Sequence, residues 1–395
     1  MGPMAGARVS KGDAGYMSRI EQNMVAENVA DITAGIHGLA ERVAYRYAAI
    51  ERRHRFRFLF DPLRMLEQTD FIQRYLAGEN PFPLSVELDP SNACNHDCCF
   101  CIYHSMHQKD RSERLSRDKL ISIIDELHAL GCRSVLFVGG GEPMTNPHTV
   151  EAIERAAGHG ISCGLVTNGS LIDEARAKRL KRAATYVRFS FDAATRETHL
   201  ALHCNDDFDR IVRNLRMLSA ADGPATIGTG YFINDSNVDE TFANAQLVKD
   251  CGADYIQFKT YSGLPIDKPL HERMLHAVDR AIDLADERFD VHIMDRIFEN
   301  HPFQVRGYSR CHFQAMKTVI NADGSMYLCA QKRTNPDGRI GNVHEQSIAE
   351  IWSGVKRARV VDGLDLTGCP YCVHDRQNKM IEFMAHFRAP HRSFY

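Results

Sequence analysis

Long apolar runs and a one-sided charge are both missing from this sequence. No apolar run reaches the roughly 18 residues that a membrane span needs, and residues 1–16 contain no apolar segment typical of a signal peptide. The 395 residues hold 48 Lys and Arg against 51 Asp and Glu, a formal net charge of −3, so no general attraction to a polyanion is expected. We therefore predict a cytoplasmic protein that binds neither membranes nor nucleic acid.

A disulfide scaffold is also not expected, although cysteine is plentiful. Twelve residues are Cys, and in a chain without an export signal so many thiols favour metal binding or reactivity over disulfides. Seven of these cysteines fall into two spaced groups. The other five are expected to be small side chains that pack in the interior. The two groups are Cys94, Cys98 and Cys101, and then Cys311, Cys329, Cys369 and Cys372.

The arrangement of apolar residues predicts an α/β protein with additions at both ends. Residues 1–16 are predicted to be a disordered tail and residues 17–80 a helical extension, which Pro81 and Pro83 end. We assign residues 81–300 to a core and residues 301–395, with a hairpin signal at Asp323-Gly324, to a small cysteine-bearing domain. Within the core, strand candidates alternate with helical segments, which is typical of a parallel sheet covered by helices. The six strand candidates are residues 84–89, 134–140, 162–167, 186–192, 226–233 and 255–261.

The first cysteine group lies in a loop directly after the first predicted strand. Three thiolates at the spacing of Cys94, Cys98 and Cys101 can reach three irons of one 4Fe-4S cluster and leave the fourth iron open. A reactive cluster needs such an open position, as a catalytic zinc does. A structural zinc site is the alternative, with Cys99, His96 or His104 as its fourth ligand, and the spacing alone leaves both open.

Further motifs follow the next predicted strands, at the carboxyl ends where chemistry gathers in parallel α/β folds. In chain order these are Phe100 before Cys101, Gly139-Gly140-Gly141-Glu142-Pro143, Thr167-Asn168-Gly169 and Ser190-Phe191-Asp192. Together with the cysteine loop, they resemble the radical S-adenosylmethionine (radical SAM) superfamily over residues 84–261. The resemblance implies a partial (β/α)6 barrel whose cluster binds SAM. Reductive cleavage of SAM would then yield methionine and a 5′-deoxyadenosyl radical.

The resemblance also implies a set of SAM contacts. Glycines allow backbone to approach a ligand closely, and the glutamate after them adds a negative charge beside the methionine ammonium. Polar residues at the ends of the third and fourth strands are expected to contact the ribose or methionine. The cofactor-binding residues are then Phe100, Gly140, Gly141, Glu142, Pro143, Asn168, Ser190 and Asp192.

The second cysteine group resembles the twitch domain, a shortened form of the SPASM domain. That resemblance implies that Cys311, Cys329, Cys369 and Cys372 hold one auxiliary, fully ligated 4Fe-4S cluster. A structural zinc is the alternative. A reducing partner such as flavodoxin or ferredoxin is expected.

The resemblance determines the initiation chemistry but leaves the outcome open. The favoured reaction is oxidation of a small sugar- or cyclitol-like molecule, because residues 17–80 lack the strands of a winged-helix peptide-binding domain. Epimerisation is one alternative, with Cys204 in the loop after the fourth strand as hydrogen donor. Modification of a ribosomally made peptide and a non-catalytic electron-transfer protein are two others. Lys259, Tyr261 and Tyr231 are candidates to orient substrate or take a proton.

Overall fold

The computed structural model describes residues 36–53, 62–101, 103, 111–260, 266–298, 306–333, 335–369 and 372–386. The predicted disordered tail, His104 and Tyr261 lie outside the described residues. None of the described helices is long and apolar enough to cross a membrane.

One ten-stranded sheet runs through the described molecule, in the order β10-β9-β8-β1-β2-β3-β4-β5-β6-β7. The strands from β1 to β7 are parallel and follow one another in chain order, and β8 adds to the free side of β1. The bounds are β1 Ser85–Leu88, β2 Ser134–Phe137, β3 Ser162–Thr167, β4 Tyr186–Ser190, β5 Thr226–Phe232, β6 Tyr255–Lys259, β7 Asp290–Ile293, β8 Lys317–Ile320, β9 Ser325–Tyr327 and β10 Arg339–Asn342.

Helices cover the sheet between successive parallel strands, because a parallel connection needs a crossover. Side-chain caps begin several of them, as when Ser116, Asp173 and Thr195 each accept a hydrogen bond from a backbone N–H in the first turn. The helices are α1 Ile36–Arg53, α2 Thr69–Leu76, α3 Arg117–Ala129, α4 Thr149–Gly158, α5 Glu174–Ala183, α6 Arg196–His203, α7 Phe208–Ala220, α8 Thr241–Asp250, α9 Lys268–Ile282, α10 Ile348–Ser353, α11 Val355–Asp362 and α12 Asp375–His386. Short 3-10 turns include Pro62–Gln68 and Pro143–Thr145.

The predicted α/β class and the six parallel strands are confirmed, but two elements of the core were missed. The segment taken as a loop after the fourth strand contains α6, so Cys204 is the left-handed cap of that helix, with φ +51, and does not lie in an open loop. The seventh strand, β7, was not predicted because its inward residues Asp290 and His292 are polar, which hides the apolar run of a buried strand. Both are nevertheless buried.

The carboxyl-terminal part of the chain extends the core sheet. The predicted hairpin is present as β8 and β9, and β8 pairs in parallel with β1 from Ser85↔Lys317 to Leu88↔Ile320. Buried charges cross this junction, since Arg333 Nη2 lies 3.0 Å from Glu87 Oε2 and 3.2 Å from Asp89 Oδ1. The proposed boundary between residues 300 and 301 therefore separates parts that share one sheet, and it stays a prediction.

The amino-terminal helices pack on both parts. Helix α1 contacts α9 through an ion pair of 2.7 Å between Arg46 Nη1 and Asp279 Oδ1. Helix α2 contributes Phe71 and Ile72 to a second small core that also contains Ile381 of α12. The chain that enters β1 is thus held against the carboxyl-terminal domain.

The inner face of the sheet is tightly filled at Gly228 on β5. A Cβ atom on this residue would lie 2.2 Å from Cε1 of Tyr255, whose ring crosses it from β6. A side chain there must push the buried ring out of place, because the interior is close-packed.

We predict that Gly228→Ala lowers the free energy of unfolding by about 1–3 kcal/mol through overpacking, measured by urea or thermal unfolding. Gly158→Ala is the matched control, because a Cβ atom at Gly158 meets nothing within 4 Å. The control should change stability by no more than about 0.5 kcal/mol or raise it slightly. Equal destabilisation by both substitutions would contradict this description of the inner face.

Candidate active site at the carboxyl ends of the strands

The first cysteine group lies half-buried in the loop after β1. Burial raises the pKa of Cys94 to about 11 and raises the pKa values of Cys98 and Cys101 as well, and the nearby Cys94 and Cys101 thiols add to the rise at Cys98. These thiols therefore stay protonated until a metal displaces their protons. Three half-buried thiols this close together fit an iron–sulfur cluster with one open iron, and Cys99 is exposed.

Helix α6 supports the backbone of this loop. The last carbonyls of a helix lack partners within the helix, and here Leu202 O accepts from Cys99 N at 3.0 Å while His203 O accepts from Asp97 N at 3.2 Å. The Asn205 side chain adds a third bond, from Nδ2 to Asn95 O at 2.7 Å. The conformation of the cysteine loop therefore depends on a helix about one hundred residues further along the chain.

Three buried histidines lie behind the cysteine loop, and the sequence analysis named only His96, as a possible zinc ligand. Asp207 accepts from two of them, with its Oδ2 3.0 Å from His96 Nε2 and its Oδ1 3.0 Å from His199 Nε2. Burial alone would raise the pKa of Asp207, but the hydrogen bonds from His199 and His96 lower it. The third ring, His203, stacks on His199 with centroids 4.6 Å apart and has its Nδ1 3.2 Å from Cys98 Sγ. The spacing of four between His199 and His203, on one face of a helix, was the available signal.

The glycine-rich turn after β2 is hydrogen-bonded to the cysteine loop. Gly141 N donates to Ser91 O at 3.1 Å and Glu142 N donates to Ala93 O at 2.8 Å. A Cβ atom on Gly141 would lie 2.2 Å from Ala93 O, so only glycine permits this approach. Gly140 N donates to Asp89 Oδ2 at 3.1 Å.

Glu142 joins the second and third strand ends. Its carboxylate accepts from Thr167 Oγ1 at 2.6 Å, Asn168 N at 2.7 Å and Met144 N at 3.0 Å. Burial raises the pKa of Glu142, and these hydrogen bonds oppose that rise. Pro143 starts the 3-10 turn that follows. The carboxylate is thus a connection between two turns, and a charge effect on SAM stays a prediction.

The other predicted SAM contacts also surround the cysteine loop. Asn168 donates through Nδ2 to Asn95 Oδ1 at 2.9 Å, and Phe100 stacks on Phe232 with ring centroids 5.6 Å apart. Ser190 is half-buried at the end of β4. Asp192 is engaged by protein groups, because its Oδ2 lies 3.3 Å from His203 Nε2 and its Oδ1 accepts from Phe232 N. Direct contacts from these residues to SAM stay predictions.

Two cationic side chains occupy the inner face between β4 and β6. Arg188 Nη1 donates to Gln257 Oε1 at 2.8 Å, and among the described residues Lys259 Nζ has no hydrogen-bond or ion-pair partner. Burial, and then the charge of Arg188, lowers the pKa of Lys259 to about 7. Tyr231, by contrast, packs on Phe258 on the helix-covered face and donates its hydroxyl to a backbone carbonyl at 2.6 Å. The expectation that Tyr231 could orient substrate is therefore wrong, because its hydroxyl is buried and used within the core.

The second cysteine group gathers beside the β8–β9 hairpin. Burial raises the pKa of Cys311 to about 12, and Cys329, Cys372 and Cys369 add to this rise in that order. Four half-buried thiols close enough to affect one another form a complete ligand set for a 4Fe-4S cluster or a zinc ion. Cys204, the suggested hydrogen donor, is exposed at the end of α6.

Comparison with known proteins agrees with both cysteine sites. The Radical SAM superfamily model matches residues 88–245, and the SPASM iron–sulfur cluster-binding domain model matches residues 311–374. The chain is 24% identical over 321 residues to AdoMet-dependent heme synthase of Methanosarcina barkeri, covering 74% of this chain and 89% of that protein. It is 24% identical over 298 residues to PqqA peptide cyclase of Granulibacter bethesdensis, covering 73% of this chain and 78% of that protein.

The fold agrees with that of a solved relative. Streptococcus suis SuiB, determined with the precursor peptide SuiA bound, superposes with a TM-score of 0.60 over 78% of this chain and 73% of SuiB, at 16% identity. The predicted partial barrel with a carboxyl-terminal cluster domain is thereby confirmed. The cofactors of this protein are SAM, the 4Fe-4S cluster that binds it and an auxiliary 4Fe-4S cluster. With both sites and both matched regions accounted for, the chain contains a radical SAM domain and a SPASM-type iron–sulfur domain.

Proposed function

We propose that this radical SAM enzyme modifies a peptide by oxidation. The observation that carries the proposal is the similarity to PqqA peptide cyclase, which covers 73% of this chain and 78% of that protein. The likeness of fold to SuiB, solved with a precursor peptide, supports it further. The sugar- or cyclitol-like substrate favoured by the sequence has less support, because the two relatives described above are named for a peptide and for heme.

A second candidate is modification of a porphyrin. It is favoured by the similarity to AdoMet-dependent heme synthase, which covers 89% of that protein. Both candidate reactions begin with the same cleavage of SAM. They differ only in the substrate that binds at the inner face of the sheet.

The three-cysteine loop would start the reaction. When bound, its cluster supplies the electron that cleaves SAM to the 5′-deoxyadenosyl radical. Cys94, Cys98 and Cys101 are proposed as its ligands, and the turn at Gly141 holds the neighbouring backbone close to them.

The remaining steps need an electron acceptor and a base. After one hydrogen atom has passed from a substrate carbon to the deoxyadenosyl radical, the substrate radical loses one proton and one electron to give a product oxidised by two electrons. We assign the proton to Lys259 Nζ, because its pKa of about 7 leaves the amine partly neutral. Cys311, Cys329, Cys369 and Cys372 would hold the auxiliary cluster, which when bound would supply an acceptor for the electron.

The function is tested with the purified protein after anaerobic reconstitution of its clusters, with dithionite as reductant and SAM. Three probes are supplied separately: synthetic peptides from short reading frames beside the gene, Fe-coproporphyrin III and scyllo-inosamine. A peptide that loses two mass units while 5′-deoxyadenosine accumulates is the expected result. Conversion of the porphyrin or the cyclitol without any peptide product would overturn the peptide assignment, and absence of 5′-deoxyadenosine from fully loaded protein would overturn the enzyme assignment.

We predict that Cys98→Ala abolishes 5′-deoxyadenosine formation and removes about four of the eight irons expected for two 4Fe-4S clusters. The loss follows because two remaining thiols do not hold the SAM cluster. Iron and sulfide analysis and chromatography of the nucleoside measure the two effects. Cys99→Ala is the control in the same loop, since Cys99 is exposed, and it should retain both iron and activity. Full iron content in Cys98→Ala would contradict the ligand assignment.

We predict that Cys372→Ala separates initiation from product formation. The SAM cluster should remain, so 5′-deoxyadenosine still forms, while the oxidised peptide falls at least about tenfold because the electron acceptor is lost. Mass spectrometry of the peptide and chromatography of 5′-deoxyadenosine give the ratio of the two products. An unchanged ratio would show that the second cysteine group is structural.

We predict that Lys259→Met lowers peptide oxidation by about 100-fold while 5′-deoxyadenosine still forms. The wild-type product rate should rise with pH through about 7 and then level off, because the depressed pKa of Lys259 makes the amine a neutral proton acceptor only above that value. Lys249→Met is the control, since Lys249 is ion-paired with Asp286 at 2.7 Å outside the inner face. A pH profile that Lys259→Met leaves unchanged would exclude Lys259 as the base.

A further inference from the structure

The buried histidines behind the cysteine loop have no part in the function proposed above. One of them touches a proposed cluster ligand directly: His203 Nδ1 lies 3.2 Å from Cys98 Sγ. His203 is 2% exposed, so water does not compete for this contact. Breaking a buried polar contact to a metal ligand costs free energy. What this contact does to the cluster depends on which of the two atoms donates the hydrogen.

The direction of the bond is determined by the sulfur. As a cluster ligand Cys98 is a thiolate, which has no hydrogen to give and only accepts. His203 Nδ1 therefore bears the hydrogen and donates it to Sγ. Hydrogen bonds to an ionised acceptor are about twice as strong as neutral ones.

Three side chains surround the ring of His203. Asp192 Oδ2 lies 3.3 Å from Nε2, and Asp192 is itself fixed by the backbone N–H of Phe232. His199 stacks on one face, and Phe100 meets the ring at 78° with centroids 5.6 Å apart. Ligand-orienting contacts of this kind tune a metal site through its ligands.

The expected effect is on reduction of the cluster. An added electron increases the negative charge on the ligand sulfurs, and a fixed N–H donor stabilises that state, which raises the reduction potential. We propose that His203 is a positioning residue that raises the reduction potential of the SAM cluster through an N–H···S hydrogen bond to Cys98. The proposal rests on the assignment of Cys98 as a cluster ligand.

A competing use of these atoms exists. Donor atoms of His96, Cys98 and His203 all lie within 4.8 Å of one another and could hold a metal ion such as zinc. In that case Cys98 would be withdrawn from the three-cysteine loop. The hydrogen bond is favoured because the Radical SAM model matches the loop that contains Cys98, and a cluster with one open iron needs all three thiolates of that loop.

The test is EPR-monitored potentiometry of the reconstituted protein without SAM or substrate. For His203→Leu we expect the equilibrium constant for one-electron reduction of the SAM cluster to fall about tenfold, which is about 59 mV. His203→Asn, whose amide N–H can replace Nδ1–H, should recover at least half of this shift. His159→Leu is the control, because His159 pairs with Asp125 at 2.8 Å in the turn before β3, at the opposite edge of the sheet from the cysteine loop, and its potential should equal that of the wild type.

A second measurement covers the case in which His203→Leu fails to assemble its cluster. Pulsed EPR of the reduced wild-type protein labelled with 15N-histidine should show a histidine nitrogen coupled to the SAM cluster, and this coupling should vanish in His203→Asn. Absence of the coupling in the wild type, or an unchanged potential in a fully loaded His203→Leu protein, would overturn the inference. One zinc per chain that is lost in His203→Leu would also overturn it. The iron content of Cys98→Ala separately tests the ligand assignment on which the inference rests.

Discussion

Strand β1 hydrogen-bonds with β2 on one side and with β8 on the other, and both candidate sites depend on this double pairing. Because the strands are parallel, the loop that leaves β1 emerges at the same edge as the turn that leaves β2. The hairpin that leaves β8 begins at that edge too, which brings the cluster domain to the core. Glu87, Asp89 and Arg333 form a buried ionic group across the same junction. Removing one partner from such a group leaves an unpaired buried charge, which is strongly destabilising.

The polar side chains at this edge of the sheet mainly contact other protein groups around the cysteine loop. Glu142, Asn168 and Asp192 each use polar side-chain atoms on other parts of the protein. The residues expected to touch SAM thereby form a rigid frame around the cysteines. Preorganisation of this kind matters for radical chemistry, because a misplaced reacting atom lowers the rate steeply.

Much of the fold could be read from the sequence. Strand β3 has the bounds predicted for it, because it combines clear periodicity with turn residues at its ends. Helix α6 was missed because it is short and lies between two stronger signals. Tyr231 was misread because period-two alternation shows which residues share a face without showing which face points inward.

The sequence by itself determined the two cysteine groups, the glycine turn and the strand–helix alternation, and from these the superfamily could be recognised. Such signals are local, since ligand spacing and turn chemistry act within a few residues. Only the tertiary structure decided which groups surround the ligands. His203 meets Cys98 from 105 positions away, and Arg333 meets Glu87 from 246. No local pattern encodes these contacts, because they arise when parallel strands bring their carboxyl ends to one edge of the sheet.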